Sequence, residues 1–259
     1  MLICLDAGHY LGTPGKRCLK RIDPKETREW VLNSRIADKV QQRLASYDCT
    51  TIRADDSDGE SQVTLDERTA MANAAGADAY ISIHHNAGIN GGKGGGIVVF
   101  AAPGCSEQSK VLQEAVYRHT VDTTGLRGNR SNPMPERGYK VLRDTTMPAI
   151  LGEFGFMDST TDTPIILTER FADQVEDGIV AALVEVYGLE EKDMNEEQVR
   201  AIVRSELARM EKDRSVQPPS PWAKKLLEEA KHKGITDGTR PRSFATREEV
   251  ALMVNKALK

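Results

Sequence analysis

The 259-residue sequence predicts an α/β fold: a twisted, mostly parallel sheet with helices on both faces, plus a small helical C-terminal domain. Three observations predict it. Short apolar runs alternate with helical patterns through the first 188 residues, the order that a parallel sheet covered on both sides requires. Beyond Gly188 the composition changes to a charged stretch followed by helical stripes. A chain of this length suits a main domain with a smaller one beside it. Hydrophobic residues at 39% and charged residues at 29% exclude disorder throughout.

The apolar runs place strands near residues 2–6, 49–53, 79–84, 96–101 and 148–154. Between the first two, Val31, Ile36, Val40 and Leu44 can share one face of a helix running from about Glu29 to Leu44. Further helices are expected near 65–75, 106–122 and 168–187. The glycine-rich residues 91–96 lack the ending of a phosphate loop and read as a flexible turn before the strand at Ile97. Residues 190–193 read as a linker. After them Asn195 is a candidate N-cap, and Val199, Ile202, Val203, Leu207 and Met210 fall at helical spacing, a stripe expected to pack on a neighbour. Residues 217–221 break that helix and start another, with Ser220 as cap, Pro221 as first residue and Gly234 at the end. Thr246 to Glu249 form a capping box before Val250, Met253, Val254 and Ala257. The expected organisation is a main domain over 1–188, a linker with an amphipathic helix over 189–220, and a helical module over 221–259.

The formal net charge is −4, with acids in excess over 1–188 and bases in excess over 215–259. A basic tail suits an anionic polymer such as a cell wall, and equally a solvated helical face. No Lys/Arg run or RNA-type aromatic motif points to nucleic acid. The four cysteines, Cys4, Cys18, Cys49 and Cys105, form no CxxC pair and read as reduced thiols, Cys4 and Cys49 as small core residues of strands. Met1 leads directly into a strand with no basic leader or cleavage site, so synthesis in the cytoplasm without a signal peptide is expected. No run of about 18 apolar residues could span or insert in a membrane.

Three of the five histidines sit where catalysis could use them. His9 follows the first strand, and His84 and His85 end a later one, at the rim where open α/β sheets place ligands. Side chains alternate along a strand, so only one of His84 and His85 can face a shared site. A catalytic metal such as zinc wants about three His or carboxylate ligands and an open position. Glu26 and Glu29, before or opening the first helix, are the accessible acids. Glu153 lies alone in an apolar strand, where desolvation raises a carboxyl pKa toward the range useful for proton transfer. His119 and His232 lie on helices without ligand-spaced partners.

These blocks resemble, in order and over about residues 1–188, the zinc-dependent N-acetylmuramoyl-L-alanine amidases of the amidase-3 type. Asp6-Ala7-Gly8-His9 looks like the family's D-P-G-H block with Ala7 in place of proline, which implies His9 as a zinc ligand. Ser82-Ile83-His84-His85-Asn86-Ala87 matches S-x-H-x-N-A, which implies His84 as a ligand and leaves His85 as the variable neighbour. The family's glutamate ligand is followed by Asn at four residues and a small residue at eight; Glu29, Asn33 and Ala37 fit, and Glu26 does not. Leu151-Gly152-Glu153-Phe154-Gly155-Phe156 resembles the block carrying the catalytic glutamate, Glu153. Arg53, Leu65, Arg68, Asn73-Ala74 and Ala77-Asp78 fit the spacing between blocks. Residues 13–24 depart from the family by forming a longer, charged loop.

The tail is similar to one S-layer homology motif at Trp222-Ala223, residues 234–238 and residues 246–249. That implies binding to anionic wall polymers. Such motifs ordinarily come in threes, so with a single copy tight binding would require self-association. The resemblance as a whole implies a Zn2+ amidase that cuts bacterial peptidoglycan between N-acetylmuramic acid and L-alanine. With catalytic and binding parts in one chain, the expected role is a phage endolysin released through a separate membrane pore. The alternatives are a host autolysin or sporulation amidase, a zinc peptidase acting within the stem peptide, and an inactive wall-binding protein.

Overall fold

A computed structural model of the chain describes residues 1–192, 200, 203–205, 207–211, 218–237, 239 and 247–257. The chain divides into two units, Met1–Lys192 and Asp193–Lys259. The first opens with β1 (Leu2–Ala7), α1 (Glu29–Leu44), β2 (Thr50–Arg53), α2 (Leu65–Ala74) and β3 (Ala79–Asn86). It continues with β4 (Ile97–Phe100), α3 (Glu107–Thr124), α4 (Lys140–Arg143), β5 (Ala149–Phe156), α5 (Thr163–Ile166) and α6 (Glu169–Tyr187). The five strands form one sheet in the order β2-β1-β3-β5-β4, parallel except for the antiparallel pair of β4 and β5. This is the expected α/β architecture.

Alternation along the strands sorts the core into two layers. Ile3, Leu5 and Ala7 of β1, Ala79, Ile81 and Ile83 of β3, and Ile150 and Phe154 of β5 share one layer with buried residues of α1, α3 and α6. Cys4, Tyr80, Ala149 and Leu151 face the other way, with Ala72 of α2 and Val141 and Leu142 of α4. That second layer is thinner. Continuing its alternation past Cys4, Tyr80 and Leu151 puts Asp6, Ser82, His84 and Glu153 on the same face toward the strands' C-terminal ends. The fold thereby brings polar groups from three adjacent strands to one corner.

Several local expectations change. Val31 is 39% exposed, whereas Trp30, Leu32, Ile36, Ala37, Val40 and Leu44 are buried. At about 100° per residue Val31 lies far round the helix from Ile36, and the buried arc is set by Leu32, Ile36 and Val40 instead. α4 and α5 have four residues each, too short to leave a periodic signal. Residues 91–96 are tied down rather than a free turn: Gly91 N–H donates to the Asp158 carbonyl (2.6 Å), Gly94 N–H to Thr161 Oγ1 (3.0 Å) and Gly96 N–H to Asp162 Oδ2 (2.7 Å). Residues 190–192 belong to the first unit, tied into it by Asp48 N–H to the Glu190 carbonyl (2.9 Å) and Lys192 N–H to the Ser46 carbonyl (2.7 Å).

All four cysteines are free, and Cys4 is fully buried, as a small core residue of β1 should be. Cys49 is buried immediately before β2 rather than in it. Burial pushes the Cys4 and Cys18 thiols up to about 12, so both are unreactive at neutral pH.

In the second unit, α7 (Lys224–His232) and α8 (Arg247–Ala257) are helical, and Gly234 takes the left-handed φ of +68°. Ala223, not Ser220, is the N-cap of α7, because Ser220 uses its carbonyl to accept from Ala223 and Lys224 in a preceding turn. Val203, Leu207 and Met210 are 50%, 57% and 46% exposed, so the stripe is more solvated than its spacing suggests. None of the described residues of this small unit is buried. Asn195, Val199, Ile202 and Thr246 lie outside the described residues. No helix among the described residues is long and apolar enough to cross a membrane.

Candidate metal centre at the rim of the sheet

β1 ends at Ala7, and the next two residues turn sharply enough that His9 adopts a φ of +70°. A non-glycine residue held there stores strain, and such residues cluster at functional sites. The turn aims the His9 ring at that of His84, edge to face with centroids 4.9 Å apart. Glu29, first residue of α1 and fully buried, reaches between them. Its Oε1 lies 3.3 Å from His9 Nε2 and 3.0 Å from His84 Nδ1. One ligand atom from each of the three residues lies within 4.8 Å of the others. Glu26 is elsewhere, paired with Arg17 and Lys20 at 3.3 and 3.6 Å.

This donor set fits a metal ion. Zinc bonds of about 2.0–2.1 Å in tetrahedral geometry place neighbouring ligand atoms about 3.3 Å apart, close to the separations found. His9 Nε2 and Glu29 Oε2 are buried with only loose ionic contacts, to Glu29 Oε1 at 3.3 Å and to the Lys16 ammonium at 3.6 Å, an incomplete state that a cation would complete. Burial works to raise the Glu29 pKa, but the hydrogen bonds and charges of His84 and His9 dominate and hold the carboxylate well below its ordinary range. Burial likewise opposes a charged His84, and Glu29, Glu153 and Asp6 overcome it, raising that pKa. At His9 burial prevails and the pKa falls, favouring a neutral, ligating ring.

Gly8 makes the approach of the rings possible. A Cβ on it would lie 2.0 Å from His84 Cε1. Gly8→Ala is therefore expected to leave the sheet folded but push His84 aside, lowering metal affinity about 10-fold or more; titration against a chromophoric chelator would measure it.

Glu153 is the register partner of His84 across β3 and β5, so the two side chains leave the sheet side by side. Burial pushes its carboxyl up to about 7, against the lowering influence of His84 and with the help of Glu29. Glu153 Oε2 is buried with no hydrogen-bond partner. Just beyond it the pairing slips: His84 faces Glu153, but Asn86 faces Phe156. That bulge holds Gly155, whose φ of +87°, with only 2.7 Å between a would-be Cβ and Ile166 Cγ2, suits only glycine. His9, His84 and Glu153 line one cavity of about 430 Å3, walled also by Tyr10, Lys16 and Tyr139.

Sequence reasoning left much of the support unassigned. Arg68, 3% exposed, donates to the Ala7 carbonyl at 2.8 Å and the His9 carbonyl at 2.7 Å, and pairs with Asp6. It thus fixes the strained turn from behind. Asp6 also accepts from Ser82 Oγ at 2.7 Å, tying β1 to β3. The sequence hints at the partners, an arginine at family spacing and an acid at a strand end, but not at the contacts they make. Lys16, in the longer charged loop, sends its ammonium to 3.6 Å from Glu29 Oε2, and its carbonyl accepts from Glu29 N–H at 3.0 Å. His119 pairs with Glu185 at 2.8 Å, far from this chemistry in the sequence pattern and absent from the cavity wall; His232 is exposed.

Comparison with known proteins places these features. The chain is 31% identical over 201 residues to an endolysin of Bacillus phage SPP1, covering 74% of this chain and 68% of the relative. It is 30% identical over 130 residues to the N-acetylmuramoyl-L-alanine amidase CwlM of Bacillus licheniformis, covering half of this chain and 49% of that one. The crystal structure of N-acetylmuramoyl-L-alanine amidase from Clostridium difficile 630 superposes with a TM-score of 0.64 at 28% identity, covering 71% of this chain and 95% of that one. The family model described as N-acetylmuramoyl-L-alanine amidase, Amidase_3, matches residues 3–185, and the chain belongs to that family.

Proposed function

We propose that the chain hydrolyses the amide bond between N-acetylmuramic acid and the L-alanine of the stem peptide, using Zn2+ held by His9, Glu29 and His84. The single observation that carries this reading is the convergence of those three side chains within 4.8 Å of one another, at the wall of a cavity that His9, His84 and Glu153 line. Zinc held there supplies Lewis acidity, acidifying water and polarising a carbonyl. Glu153, kept basic enough by burial to hold a proton near neutral pH, takes one from the attacking water at a carboxylate oxygen. It then delivers that proton to the departing alanine nitrogen. His9 and His84 stay neutral as ligands, and Arg68 keeps the His9 turn in place.

The likeness to the phage endolysin supports lysis of a host wall as the role, ahead of an autolysin or sporulation amidase. Residues 221–259 serve in this reading as a wall-binding module for anionic polymers, self-associating to gain strength. The test is product analysis on purified peptidoglycan. New L-alanine N-termini without new reducing sugar ends are expected, and activity should vanish in EDTA and return with zinc. Cleavage at a bond inside the stem peptide would instead show a peptidase, and lysis undiminished by EDTA would remove the metal from the account.

A further inference from the structure

β3 sends His84 into the cavity and His85 to the opposite face, against α1, as strand alternation demands. His85 is 2% exposed and does not line the cavity, so it is out of reach of substrate there. Its neighbour is Asn33, fully buried on α1 one turn beyond Glu29 and therefore on the same helix face. Asn33 Nδ2 donates to the Gly8 carbonyl at 3.0 Å. That fixes the amide orientation, leaving Asn33 Oδ1 as the acceptor facing His85 Nδ1 at 2.8 Å, so the ring must carry its proton on Nδ1. The His85 backbone N–H in turn points at Glu29 Oε1, 3.3 Å away. A continuous set of contacts thus runs from the Gly8 carbonyl, through Asn33 and His85, to the carboxylate that meets both imidazoles.

We propose that Asn33 and His85 are a positioning pair that sets the metal-ligand geometry from beneath, fixing the Gly8–His9 turn and Glu29 relative to one another. The proposal rests on the zinc reading given above. The physical case is that two buried polar side chains are costly to desolvate: Asn33 spends its amide on the Gly8 carbonyl and its oxygen on the His85 ring, and His85 stays in place with only that one ring hydrogen bond, its Nε2 buried without a partner. Filling that space with apolar side chains would satisfy packing alone. It would leave the Gly8 carbonyl without its donor and let the His9 turn, already strained at φ +70°, relax.

The test is zinc affinity of the full-length protein, by competition with a chromophoric chelator, for wild type, Asn33→Leu, His85→Leu and His85→Gln. The leucine variants should bind zinc about 10–100-fold more weakly. His85→Gln, whose amide N–H can still donate to Asn33 Oδ1, should recover most of that loss. Leucine variants that bind zinc as wild type does would overturn the proposal. So would weakening that merely follows thermal stability, with His85→Gln no better than His85→Leu. Should a leucine variant fail to fold, Asn33→Ser, too short to reach both partners, replaces it under the same criteria. A wild-type chain that takes up no zinc would sink the metal reading itself, whereas zinc bound equally by wild type and variants sinks only the positioning pair.

Discussion

Glu153→Gln is expected to lower kcat on purified peptidoglycan by about 10²–10⁴-fold while leaving zinc bound. The substitution keeps size and neighbours but removes the group proposed to accept and return the proton. Wild-type activity should also lose about tenfold per pH unit on the acid side of the Glu153 pKa, because the base must be ionised to act. Burial holds that pKa at about 7, and a cation at the neighbouring ligands would lower it, so the limb falls in the mildly acidic range. The variant should lack this limb. A linked stability effect has the opposite sign to the usual carboxylate. The folded carboxyl binds its proton more tightly than one at the ordinary value of 4.5, so metal-free stability declines as pH rises from there to about 7. Metal-free Glu153→Gln should therefore be more stable than wild type at pH 8, by about 1–3 kcal/mol. Urea unfolding in EDTA would measure that difference.

His84→Ala should lose both zinc and activity. In the proposed site the ring supplies one of three ligand atoms, and it contacts Glu29 at 3.0 Å, so its removal should weaken zinc binding by more than the roughly 10–100-fold typical of outer-shell changes. It also removes the His84 influence that lowers the Glu153 pKa and one of the two histidines that favour an ionised Glu29. Equilibrium dialysis against zinc distinguishes the two variants: Glu153→Gln retains about one ion per chain and His84→Ala does not. A His84→Ala chain that lyses walls at the wild-type rate would contradict the assignment of this residue.

The sheet was legible because its strands are apolar on both faces and its helices are long. α1 in particular announces itself through Leu32, Ile36, Val40 and Leu44, even though Val31 turns outward. The rim position of His9, His84 and Glu153 followed from strand ends alone. Choosing Glu29 over Glu26 did not, since a first-turn acid is common for dipole reasons, and it needed the family spacing of Asn33 and Ala37. What stayed hidden was the set of contacts that crosses the chain at long range. Arg68 reaches back to the His9 carbonyl and Lys16 folds over Glu29, and neither leaves a periodic trace in sequence. The tether of residues 91–96 to Asp158, Thr161 and Asp162 was equally invisible, because glycine runs look alike whether they are free or bonded.

The Asn33–His85 pair shows a further limit. Position 85 looked like a free choice beside the ligand histidine, and its meaning depends on the helix that covers β3. A buried histidine is noticed in sequence only when its partner is nearby, and here the partner lies 52 positions away.

The central claim is that one cation is gripped by two imidazoles and a carboxylate at the end of the sheet. Anomalous diffraction at the zinc edge, from crystals of the zinc-loaded protein, tests it directly. The account predicts a peak about 2.0–2.2 Å from His9 Nε2, His84 Nδ1 and a Glu29 carboxylate oxygen together. Zinc absent from that point, or seated on other residues while the protein is active, would contradict it.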